Sequence, residues 1–217
     1  PDVLVWAYWG SGNSQFAEPD AIQFVDPWPR VSQGSVGYRE APHPGDGWSL
    51  SYSLGSSLPG EAREDNRVSD EAIDALMIAA GRPTANEVDD KTLPHECDWL
   101  RTAVHLNKGC YRGQESVAKV HNLGHPPRRL TLLHVDGSPS ILPTAGDAVM
   151  AGDTRLGIVT RAGWHHELGP VALALVKRTP PEGEVSIETQ EGVSIAVNQE
   201  LLVPRDAGRA MPRRRLG

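Results

Sequence analysis

At 217 residues, 39% hydrophobic and 23% charged, the chain is long enough to bury a real core and has an ordinary composition. A net charge of −7 argues against nucleic acid as a direct partner. Two cysteines thirteen residues apart form neither a disulfide framework nor a CxxC pair, and the longest apolar run, Val171–Val176, is too short to span a bilayer. A reducing, cytoplasmic setting without a membrane partner is therefore expected, with the protein a monomer. The chain starts at Pro1 with no signal-peptide pattern and reads as strand almost at once, which suggests an N-terminal truncation.

Residues 1–54 alternate short apolar runs with Pro and Gly turns. Val3–Trp6, Ala21–Val25 and Trp48–Leu54 read as strands, with Trp6, Trp9, Trp28 and Trp48 as packing residues. Residues 55–67 are small, polar and charged, and read as a linker. A helix then begins at the N-cap Ser69, with Asp70 and Glu71 in its first turn and Val68 placed to staple on Ile73. Ile73, Leu76, Met77 and Ala80 give it an apolar face, and Gly81 with Pro83 ends it. Thr84–Lys91 is an acidic loop.

Pro94 suits the first position of a second helix, on which Leu93, Cys97, Leu100 and Val104 would share one face. Cys97 is then a buried small hydrophobe rather than a ligand. Residues 114–122 predict a short helix stopped by Leu123–Pro127. Beyond Arg129 the texture turns to β, with runs at 130–135, 148–150, 156–160, 171–176, 185–187 and 193–197. Six short strands predict a small antiparallel barrel or sandwich over 126–203, followed by a disordered tail at 204–217. The fold class is α+β.

Charge is unevenly spread. From Arg101 to His134 there are six Lys or Arg against one acid, Glu115, so this window is +5 and the remainder −12. It is either a basic surface strip or a pocket for an anion. Within it lies Lys-Gly-Cys-Tyr-Arg-Gly-Gln-Glu, residues 108–115. A cysteine is a nucleophile only as thiolate, a form favoured by neighbouring cations and helix starts. Cys110 has Lys108 and Arg112 two residues to either side and a helix start just after it. Gly109 and Gly113 permit positive φ or close approach of a ligand. Tyr111 offers an aromatic face, and Gln114 with Glu115 offers paired donors and acceptors. From chemistry alone Cys110 is a reactive thiol or an unremarkable turn residue. No metal site is expected: His95, Cys97, His105 and Cys110 match no common zinc spacing, and His165, His166 and Glu167 sit in a hairpin loop where adjacent side chains should diverge.

The octapeptide matches the hallmark of the YgfZ family, folate-binding proteins related to the glycine-cleavage T-protein, an aminomethyltransferase. Leu93–Glu96, Ala103–Leu106, Val120–Gly124 and Pro126–Leu130 resemble the same family, in wording closest to its actinobacterial branch. Leu156–Thr160 and His165–Val176 look like the T-protein C-terminal barrel. The resemblance covers roughly residues 20–180. It implies a partial T-protein-like folate-binding region over 1–125 and a barrel after it, arranged around a central opening. It further implies tetrahydrofolate, or a derivative, as cofactor and iron–sulphur client proteins as partners, among them tRNA-modifying enzymes. Cys110 would be the functional thiol. Lys108, Tyr111, Arg112, Gln114 and Glu115 would line the folate opening, and Glu96 would hydrogen-bond the pterin. Two positions depart from the family: Met77 stands where relatives have arginine and Gly81 where they have an aromatic residue.

Two other functions compete. One is a true aminomethyltransferase, although the T-protein usually lacks a cysteine in this motif and has its catalytic aspartate in the N-terminal part expected to be missing. The other is a plain folate-binding or protein-binding module with Cys110 as filler.

Overall fold

The structure is a computed structural model that describes residues 3–9, 21–39, 42–56, 67–179 and 183–208. The first apolar runs form a three-stranded antiparallel sheet of β1 (Leu4–Trp9), β2 (Ile22–Val25) and β3 (Leu50–Gly55), in the order β1-β3-β2. The central strand β3 carries Leu50 into a cluster with Trp28, Trp48 and Ala80, and Trp28 donates its indole N–H to the Ala80 carbonyl at 2.9 Å. Burying an indole with its N–H satisfied fixes the sheet against the end of the next helix. Residues 57–66 of the expected linker lie outside the described residues.

Helix α1 (Asp70–Ala79) starts where Ser69 accepts a hydrogen bond from the Ala72 N–H. It ends in a paired C-terminal motif, with Gly81 N–H on the Ile78 carbonyl and Arg82 N–H on the Met77 carbonyl, both at 2.9 Å. Gly81 sits at φ +62°, and a Cβ there would meet Leu202 at 2.6 Å, so this backbone disfavours any larger side chain. The buried stripe differs from the expected one. Ala75 and Ile78 are buried, while Leu76 and Met77 pack sideways on the tryptophan cluster. Val68 stays 57% exposed.

No α-helix forms from Pro94. Residues 94–98 make turns, and a single 3₁₀ turn follows at Trp99–Arg101. Asp98 breaks the run with a left-handed φ of +54°. Cys97, Leu100 and Val104 are nonetheless buried, because the apolar spacing serves a compact turn as well as a helix. Helix α2 (Gln114–Leu123) then forms one residue longer than expected.

All six C-terminal runs become strands of one closed antiparallel barrel: β4 (Arg128–Val135), β5 (Ala148–Ala151), β6 (Thr154–His165), β7 (Gly169–Lys177), β8 (Val185–Glu188) and β9 (Ser194–Leu201), in the order β4-β7-β6-β5-β8-β9. Leu133, Val135, Val149, Leu156, Val176 and Ile187 help to fill the interior. Leu130, Leu132, Val171 and Leu173 face outward onto Ile78, Cys97 and Leu202. Strand β7 is thus buried on both faces, which is why its sequence is an unbroken apolar run. Gly157 lies so close to β7 that a Cβ would come within 2.0 Å of the Leu175 carbonyl oxygen.

Arg161 of β6 ties the barrel to the first region. It donates to Glu87 at 3.1 Å, to Asp74 at 2.5 Å and to the Arg82 carbonyl at 2.7 Å. The chain stays packed past the expected end of the barrel: Ala207 is buried, and its carbonyl lies 2.8 Å from His125 Nδ1. The disordered tail expected at 204–217 therefore starts too early, since Ala207 and Gly208 are buried beside the end of α2. Residues 209–217 lie outside the described residues. Among the described residues no helix is long and apolar enough to cross a membrane.

Candidate functional site

The octapeptide forms an exposed loop leading into α2. Gly113 adopts φ +83° at the N-cap, the Val117 N–H bonds to the Gly113 carbonyl at 3.1 Å, and no side chain caps the helix. Gly109, by contrast, does not take positive φ, although nothing crowds it. Tyr111 anchors the loop on a cluster of Leu100, Val104 and Val117 together with Tyr38 and Leu106. Lys108 places its ammonium 5.4 Å from the centre of the Tyr111 ring. Cys110 is exposed, as are Lys108, Arg112 and Glu115, while Gln114 is half-buried at the helix start. The loop presents a thiol between two cations to solvent.

Glu96 is elsewhere and differently employed. Its carboxylate is fully buried and accepts from Arg128 Nη2 at 2.8 Å and Nε at 3.2 Å, while the Leu130 N–H bonds to its carbonyl at 2.7 Å. Arg128 also reaches Asp89 at 2.6 Å; this contact, and then Thr92, holds the Asp89 carboxyl well below the usual range. The +5 window is not one patch. Arg101 is buried 5.1 Å from the Trp28 ring, Arg128 is paired, Arg129 is inside the barrel, and only Lys108, Arg112 and Lys119 are exposed.

A cleft of about 520 Å³ opens between the tryptophan sheet and the barrel. Its walls include Trp9, Trp48, Arg39, His134, His165 and Glu200, and none of the residues expected from sequence to bind a cofactor. Trp9 and Trp48 meet edge-on at 4.9 Å. Glu200 pairs with Arg39 at 2.8 Å and lies 3.1 Å from His134 Nε2. The rings of His165 and His166 do not diverge but lie 4.5 Å apart. Among the described residues no group of three or more His, Cys, Asp or Glu is placed to hold a metal ion. Nothing in the sequence grouped these residues, since they come from six separate segments, around 9, 39–48, 76–80, 132–134, 165–168 and 200. The motif and the cleft are linked through neighbours: Tyr38 packs in the Tyr111 cluster and Arg39 lines the cleft.

The closed six-stranded barrel is the feature that a known family model matches. Residues 128–202 match the family model of the glycine cleavage T-protein C-terminal barrel domain. The crystal structure of glycine cleavage system aminomethyltransferase T from Bartonella henselae has a similar fold, with a TM-score of 0.53 and 24% identity over 77% of this chain and 48% of that one. The chain thus has a T-protein-like α+β architecture and carries the T-protein barrel, and it spans about half the length of that aminomethyltransferase. No curated protein matches the chain.

Proposed function

We propose that this protein is a folate-dependent accessory factor for iron–sulphur proteins in which Cys110 acts as an exposed thiol. The observation that carries the reading is the 108–115 loop, which holds Cys110 out to solvent between Lys108 and Arg112 while Tyr111 pins the loop to the core. The T-protein barrel supports a tetrahydrofolate ligand. The cleft supports it too: its volume is in the range of small-molecule sites, with indoles for a flat ring and Arg39 for an anionic tail. Because Glu96 is engaged by Arg128 and Glu200 by Arg39, the exposed cleft carboxylate of Glu167 is the better candidate for the amino-pyrimidine edge.

Titration with tetrahydrofolate, read by tryptophan fluorescence, tests the ligand. Saturable quenching that weakens about tenfold in Arg39→Ala is expected, from the loss of one charge-assisted contact. Absence of saturable binding sinks the folate reading. Expression of Cys110→Ala in cells lacking their own homologue tests the thiol, which has no role if the variant restores iron–sulphur enzyme activity as well as the wild type. The barrel match also favours a second reading, one-carbon transfer to tetrahydrofolate as in an aminomethyltransferase, and detection of that transfer would establish it.

A further inference from the structure

Arg129 is the second residue of β4 and alternates with Thr131, Leu133 and Val135 on one face of the strand. Leu133 and Val135 belong to the interior of the barrel, and Arg129 pairs in register with Val176, another interior residue. Its guanidinium therefore sits on the interior side at the end where β4 begins. The side chain is fully buried, and Nε, Nη1 and Nη2 all lack a hydrogen-bond partner; the buried Thr131 hydroxyl lacks one as well.

An unpaired buried guanidinium is costly, and a bound anion would offset that cost. The described residues near it supply only more cations. Burial, and then the charges of Arg205 and Arg178, pushes the Arg129 pKa down to about 10. Arg178 follows β7, bonds its N–H to the Pro127 carbonyl at 3.1 Å and donates Nη1 to the Arg205 carbonyl at 3.3 Å. The neighbouring Arg128 offers the contrast, with two carboxylates to itself.

We propose that the barrel end around Arg129, Arg178 and Arg205 is a binding site for a small oxyanion, either a phosphate or a carboxylate group. The donor set decides the class: guanidinium forks match planar or tetrahedral oxyanions, and the Thr131 hydroxyl can add a further donor. Arg129 itself has no exposed surface, so the anion enters beside Arg178 and Arg205, which reach solvent at the barrel end. The proposal does not depend on the folate reading.

Thermal unfolding in phosphate, in glutarate and in chloride at equal ionic strength tests it. A saturating rise of several degrees in phosphate or glutarate over chloride is expected, because a ligand that binds only the folded state raises its stability. A response to phosphate alone that Arg129→Met removes assigns a phosphate group, one to glutarate alone that it removes a carboxylate, and a response that Arg129→Met retains overturns the proposal as a general salt effect. Arg129→Met should abolish the response while melting no lower than wild type in chloride, since the unpaired charge is gone. Should that variant fail to fold, Arg178→Gln should shift the anion midpoint upward by about tenfold. Equal melting of the wild type in all three salts overturns the proposal.

Discussion

Glu96 and Arg128 are joined inside the protein, with Nη2 and Nε of the arginine on one carboxylate oxygen at 2.8 and 3.2 Å. This pair fastens the turn before the 3₁₀ segment to the first residue of the barrel. Glu96→Gln leaves Arg128 with Asp89 as its one carboxylate partner, and a cost of about 2–3 kcal/mol is expected, below the usual range for a buried pair because Arg128 is part-exposed. Urea unfolding measures it; an unchanged midpoint would place the stability elsewhere.

Arg161 is buried with three partners on the first region, one of them the buried Glu87. Arg161→Ala strands Glu87 without its counter-ion, so a loss of about 3–5 kcal/mol is expected. A double-mutant cycle with Glu87→Gln checks the cause, since the two losses should then be far from additive.

The two cysteines should separate cleanly. Cys97 is fully buried, and burial, with Glu87 and Glu96 adding to it, pushes its thiol well up; Cys110 is exposed. Iodoacetamide on the native protein is expected to label Cys110 alone, with Cys97 reacting only after denaturation, as read by intact mass. Cys110→Ala should melt within about a degree of wild type, as an exposed loop substitution does.

Stability should fall with acid before the carboxylates titrate. His95 is fully buried beside Tyr38, its ring nitrogens make no well-formed hydrogen bond, and burial, followed by the charge of His121, holds its pKa down to about 4, with the Val117 backbone opposing weakly. The unfolded chain takes up this proton near the ordinary value of about 6.5, so the contribution is complete above that pH and is lost as pH falls toward 4. A loss on the order of 2 kcal/mol is expected across the window. Urea midpoints at successive pH values should show the slope, and His95→Gln should flatten it. A wild-type profile that is already flat there contradicts the assignment.

The sequence by itself determined which segments form the barrel, where α1 starts and stops, that Cys97 is buried, and that the 108–115 loop leads into a helix. These are local matters: period-2 apolar runs, a serine cap, a glycine stop and apolar spacing act over a few residues. It misjudged the stretch from Pro94, because a helical spacing of apolar residues does not reveal that Asp98 turns left-handed to reach a buried position. Only the tertiary structure decided which charges are free. Arg128 and Glu96 are spent on each other, Arg129 is enclosed without an acid, and Trp9, Arg39, His134 and Glu200 meet in a cleft from distant segments. Sequence separation carries no information on such pairings, because electrostatic partners are chosen by the closure of the barrel and its seating on α1.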